Sequence, residues 1–188
     1  VDYDTGMLYV YGDENIRDAV IKVAALGQKA DEAIIRLDKA SYITFSGFDI
    51  GLARVNGVYV TSGTDVTIIN CNIYGVGMAG IGDGTLYGGW SDPYLRGRGY
   101  GIYNYDCGKE VYQEAAGYNH NYINNHVYNT GINGIAIYAG DRIDLDPANH
   151  NIISCEINNT GRYEQSFGVG VEALGVGINI IGNTIHDI

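Results

Sequence analysis

A short apolar phrase recurs along this chain, and its spacing limits what the chain can fold into. FSGFDI ends at Ile50, IINCNI at Ile73, YINNHV at Val127, IISCEI at Ile157 and IIGNTI at Ile185, at intervals of 23, 54, 30 and 28 residues. Repeats of this length describe a solenoid, in which each coil buries its apolar face only against its neighbours. The phrases are short, alternating and β-branched, which suits strands and is too short for helices. The expected fold is therefore all-β, with parallel strands stacked coil upon coil about 4.8 Å apart.

Most phrases run into a turn and then a Gly-led apolar run: Gly57–Val60, Gly80-Ile81, Gly134–Ile137 and Gly168–Val171. The tripeptide Asn-Thr-Gly marks two of these turns, at Asn129–Gly131 and Asn159–Gly161. One position of the ladder reads Phe48, Cys71, Asn125, Cys155, Asn183. A residue there faces a tight corner, where Asn can bond the backbone of the next coil and Cys packs as a small apolar group. The composition agrees: 28 Gly and 17 Asn supply positive-φ positions, and Pro is held to 2. With 3 Cys and no CxxC, neither a disulfide framework nor a zinc site is expected.

Two stretches interrupt the repeat. Residues 13–39 fit either a helix or incoming strands, and strands are favoured. Residues 83–118 read as a long insertion carrying the lone Trp90 among several tyrosines and arginines. Long loops on rigid scaffolds are where binding function tends to reside. The formal charge of -11 argues against nucleic acid or an anionic membrane as partner. No apolar run is long enough to span a bilayer. The abrupt, strand-like start and end lead us to expect an internal fragment of a larger chain, one domain over 1–188, whose open coil ends are capped by further chain or by a partner.

The segments DTGMLYVYG, ASYITFSGFDI, GIAIYAGDR, the phrase N.I..C.I..TGR and GVGINIIGNTIHDI come in this order. Together they resemble the right-handed parallel β-helix enzymes of the pectate-lyase-like superfamily, and within it large secreted bacterial proteins related to glycoside hydrolase family 141. The resemblance covers most of the chain outside 83–118. It implies a right-handed parallel β-helix, an extracellular, cell-surface or periplasmic location, and a polysaccharide or oligosaccharide substrate. It also implies that AGDR, Ala139–Arg142, lies just after a strand lining the substrate groove.

Glycoside hydrolysis needs two carboxyl groups across one glycosidic bond, about 5–5.5 Å apart for retention and about 6.5–9.5 Å for inversion. Carboxylates one or two coils apart on one face meet these distances. Asp141 ends one Gly-led run, and Glu172 is expected in the place of Tyr138 one coil later, so the two share a groove. Asp187, with His186, is expected to close the groove's other end, and Asp83 stands near the same sheet one coil earlier. The candidate catalytic residues are thus Asp141, Glu172 and Asp187. The candidate substrate-binding residues are Arg142, His186, Tyr138, Trp90 and Asp83. For each carboxylate the alternative is a capped turn or a solvated sheet face. The leading expectation is a glycoside hydrolase without cofactor. A polysaccharide lyase is the second, with a base among Arg142, Arg162, His126, His150 and His186; calcium at Asp141, Asp144 and Asp146 would be its weak option. A non-catalytic glycan-binding fibre is the third. The charge disfavours an acidic substrate.

Overall fold

The computed structural model describes residues 33–53, 56–77, 102–105, 117–140, 145–162 and 168–188. Among these residues there is no helix, and every paired strand is parallel to its neighbour. The strands are β1 (Ala33–Asp38), β2 (Thr44–Ser46), β3 (Asp49–Gly51), β4 (Asn56–Thr61), β5 (Thr67–Ile69), β6 (Asn72–Tyr74), β7 (Ile102–Tyr105), β8 (Asn121–Ile123), β9 (His126–Tyr128), β10 (Ile135–Ala139), β11 (His150–Ile153), β12 (Glu156–Asn158), β13 (Val171–Gly175), β14 (Ile178–Ile181) and β15 (Thr184–His186).

They form three five-stranded sheets, ordered β1-β4-β7-β10-β13, β14-β11-β8-β5-β2 and β15-β12-β9-β6-β3. Each strand thus pairs with those three places before and after it in the chain, a pattern compatible with a β-solenoid of three strands per coil. The ladder read from the sequence is the register of the third sheet: Ile50 pairs with Ile73, Ile73 with Val127, Val127 with Ile157 and Ile157 with Ile185. The first four side chains are buried, as are Ile68, Tyr122 and Ile152 from the second sheet and Val58, Ile135 and Ile137 from the first. Full burial of one such side chain is worth about 1.5–3 kcal/mol. In the last coil the corresponding Ile180 and Ile185 are exposed.

The corners repeat as regularly as the strands. Before each second-sheet strand stand Tyr42, Asp65, Asn119, Asn149 and Gly177. Between second and third sheets stand Gly47, Asn70, Asn124, Ser154 and Gly182. After each third-sheet strand come Leu52, Gly75, Asn129, Asn159 and Asp187. All fifteen have φ between 49° and 75°. Asn and Gly bear this left-handed conformation at least cost, which explains their abundance. The backbone N–H of many of these residues donates to the next coil, as from Asn70 to Ile123 O at 3.2 Å and from Asn124 to Ile153 O at 2.9 Å.

The corner between second and third sheets alternates two solutions. Asn125 accepts from the Cys71 N–H at 3.0 Å and donates to Ile68 O at 2.9 Å. Asn183 repeats this one coil pair later, with Cys155 N–H at 2.7 Å and Ile152 O at 2.9 Å. Cys71 and Cys155 are buried free thiols. Phe48, in the first coil, is half exposed and packs near Phe45 at 5.9 Å.

Two expectations change. Ile102–Tyr105 lies inside the stretch set apart as an insertion, yet β7 is the central strand of the first sheet, joining β4 to β10. The Gly-led run of the third coil is therefore this one, not Gly80-Ile81. In the fifth coil Val171 pairs with Ile135, so Gly170, not Gly168, stands beside Gly134. Packing explains both glycines: a Cβ on Gly134 would lie 2.4 Å from Ile157 Cγ2, and one on Gly170 2.4 Å from Ile185 Cγ2. Of the ambiguous stretch 13–39, residues 33–38 are strand, as favoured; the rest lies outside the described residues.

Candidate functional site

Strand alternation sends Ile135 and Ile137 into the core and turns Ala136 outward. The register row of the first sheet through Ala136 reads Arg36, Tyr59, Tyr103, Ala136, Glu172. Tyr59 and Ala136 are buried although they face away from the core. Arg36 lies over the Tyr59 ring at 5.9 Å. Glu172 is half buried and is the acidic member of this row.

Its carboxylate is held from the preceding coil. Asn133, buried in the turn before β10, donates from Nδ2 to Glu172 Oε2, and its Oδ1 accepts from the Val169 N–H at 3.2 Å. Sequence reading passed over Asn133. Its only signal was an Asn directly before a Gly-led run, which resembles an ordinary turn. Glu172 itself stands on the expected sheet but beside Ala136, not beside Tyr138, whose register partner is Leu174. Ala139 lies three residues further along β10, about 10 Å along the sheet. Asp141, Arg142, Asp83 and Trp90 lie outside the described residues.

Asp187 and His186 are elsewhere: they close the third sheet. Asp187 occupies the positive-φ corner position held by Asn129 and Asn159 in earlier coils. Its Oδ2 is 2.8 Å from His186 Nδ1, and Glu156 Oε1 is 3.3 Å from His186 Nε2. The two carboxylates, Asp187 first and Glu156 second, raise the pKa of this exposed imidazole above its ordinary value. Glu172 and Asp187 thus belong to different sheets, and Asp187 is engaged as a turn acid paired with His186.

The third sheet's outward face is otherwise aromatic and amide-rich. Tyr74 and Tyr128 stack at 5.3 Å, and His126 stacks on Tyr128 at 4.3 Å. Asn158 Nδ2 lies 3.0 Å from His126 Nε2. A Cβ on Gly51 would sit 2.6 Å from the Tyr74 ring, so that ring lies against the glycine. Tyr74 and Tyr128 thus give part of their ring surface to these neighbours and are half buried. These tyrosines stabilise the stack through cross-strand contact. Tyr122 fills the core.

A second pair of histidines lies in the interior between the sheets. His120 and His150 are fully buried and stack at 4.6 Å. His120 Nδ1 accepts from the Val66 N–H at 3.2 Å, and His150 Nδ1 accepts from the His120 N–H at 3.0 Å. Both rings are therefore neutral with the proton on Nε2. Burial lowers the His120 pKa to about 4; burial, then the charge of His120, lowers that of His150 to about 3. Among the described residues, no group of three or more His, Cys, Asp or Glu is arranged to hold a metal ion. No protein-family model, curated protein or solved structure matches the chain.

Proposed function

We propose that this protein is a right-handed parallel β-helix that binds an extended polysaccharide outside the cell and hydrolyses it without a cofactor. The handedness follows from the near-universal right-handed crossover between parallel strands of one sheet. The observation that carries the catalytic reading is Glu172. It is a half-buried carboxylate on the outward face of the longest-stranded sheet, steered by a buried amide, and an idle surface acid would have no such support. Its proposed partner is Asp141, with Arg142 and Tyr138 contacting substrate and Trp90 in the neighbouring loop. Glu172 stands level with Ala136, and Asp141 follows Ala139 in sequence. Direct attack of water between two such carboxyl groups needs them about 6.5–9.5 Å apart and inverts the anomeric centre.

The test is a panel of neutral and uronate-containing polysaccharides, with Glu172→Gln as control. New reducing ends without an ultraviolet-absorbing product, lost in Glu172→Gln, support the hydrolase. An unsaturated, absorbing product would replace it by a lyase. A second reading, a non-catalytic glycan-binding fibre, draws on the separation of Glu172 from Asp187 and His186 on different sheets. It predicts retention of the chain by a polysaccharide in affinity electrophoresis, with no cleavage.

A further inference from the structure

Asn133 is fixed more tightly than a turn residue needs to be. It has no exposed surface, and both atoms of its amide are committed between coils. The Val169 backbone N–H can only donate, so the Asn133 atom facing it, 3.2 Å away, must be the oxygen. The atom facing Glu172 is then the nitrogen, a pure donor. Turning the amide over would set two donors against each other at Val169 and two acceptors at Glu172. The surrounding backbone holds this arrangement still. Gly134 N–H donates to Val169 O at 3.0 Å, Ile135 N–H donates to Gly170 O at 2.9 Å, and Gly134 has no room for a Cβ.

Donation to an ionised oxygen is roughly twice as strong as donation to a neutral one. We infer that Asn133 is a positioning residue that holds Glu172 as the ionised member of the carboxylate pair, so that Glu172 acts as general base and the other carboxyl as acid. This inference rests on the hydrolase reading above. In the step it describes, Glu172 removes a proton from water as the water oxygen bonds to the anomeric carbon. The glycosidic carbon–oxygen bond breaks, and the departing oxygen takes a proton from the second carboxyl. One proton is gained by the base and one is given up by the acid.

The substitution that isolates this role is Asn133→Asp, which keeps an acceptor for the Val169 N–H and replaces the donor by a carboxylate. The readout is the titration of the Glu172 side-chain carboxyl, followed by carbon-13 NMR in the full chain. The expected result is a midpoint raised by about one pH unit or more, a tenfold change in its ionisation equilibrium. An unchanged midpoint overturns the inference. If that variant does not fold, the unsubstituted protein decides: the Asn133 side-chain amide protons must shift along the Glu172 titration curve, and amide protons that ignore it overturn the inference equally. Failure of the hydrolase reading looks different. Glu172→Gln would then leave glycan turnover intact, or no glycan would be cleaved, while the coupling of Asn133 to the Glu172 titration would still be seen.

Discussion

Acidification should loosen this fold from the inside. His120 and His150 sit neutral in the core, with folded-state pKa values of about 4 and about 3 against 6.5 for an exposed histidine. Between those limits the unfolded chain binds more protons than the folded one, so stability rises with pH. The contribution is fully present above pH 6.5 and is lost as the pH falls toward 3. At pH 5 an unfolded histidine is almost wholly protonated and each buried ring almost wholly neutral. Linkage then gives a loss of about 2 kcal/mol per ring, about 4 kcal/mol for the pair. That is a large share of the 5–15 kcal/mol typical of a domain. The assay is urea unfolding at pH 7.5 and pH 5.0, comparing the unsubstituted chain with His120→Asn/His150→Asn. Asn places an acceptor where each Nδ1 stood, opposite the Val66 and His120 N–H groups, and does not titrate in this range. Using the difference between the two chains removes the effect of neutralising other groups, including His186, whose raised pKa works in the opposite direction. The original should lose about 4 kcal/mol more than the variant over this range. Equal losses, within about 1 kcal/mol, would refute the reasoning and show that the rings protonate without opening the core.

Other outcomes follow from the corners and the thiols. Asn125→Ala strands the Cys71 N–H and the Ile68 carbonyl and should cost about 3 kcal/mol in thermal or urea unfolding, whereas Asn125→Cys, the residue used in alternate coils, should cost clearly less. Gly134→Ala drives a methyl against Ile157 and the Gly170 carbonyl and should cost about 1–3 kcal/mol; Gly47→Ala, with open space around it, should cost only about 1 kcal/mol for its positive φ. Cys71 and Cys155 should resist alkylation in the native protein and react on unfolding, as read by mass spectrometry. Both are buried, and burial raises the Cys155 thiol pKa above its ordinary value. Rapid native labelling of either would contradict the interior position.

The sequence was most legible where only one alignment could bury the apolar residues. The isoleucines ending at positions 50, 73, 157 and 185 mark one row, and the register of the third sheet follows them. The first sheet was less legible for a definite reason. In Gly-Val-Gly-Val, residues 168–171, a shift of two residues keeps every side chain on the same face, so alternation cannot tell Gly168 from Gly170 as the partner of Gly134. The same ambiguity hid β7, because Gly101-Ile102 and Gly80-Ile81 read alike. The slip moved Glu172 along the sheet but left it on the predicted face. Asp187 and His186 looked like the start of another groove wall, yet the corner that Asp187 occupies is a turn repeated in every coil. His120 escaped notice and His150 was weighed only as a candidate base, because apolar periodicity skips histidine, although both hold the inward row of Val66 and Ile178 and are buried.

The corners also differ in how much variation they accept. Between second and third sheets every coil crosses in the same two residues, from Gly47-Phe48 to Gly182-Asn183. Between third and first sheets the crossing is residues 52–55, 75–101, 129–134 or 159–170, depending on the coil, and the strands on either side still pair in register. One vertex therefore works as a hinge pin of fixed length and another as a cloning site. New sequence entering at the second vertex, by evolution or by grafting, changes what the molecule displays while the stack beneath it keeps its pitch. Duplicating a coil would lengthen the molecule by one strand spacing, about 4.8 Å, and add one more such vertex.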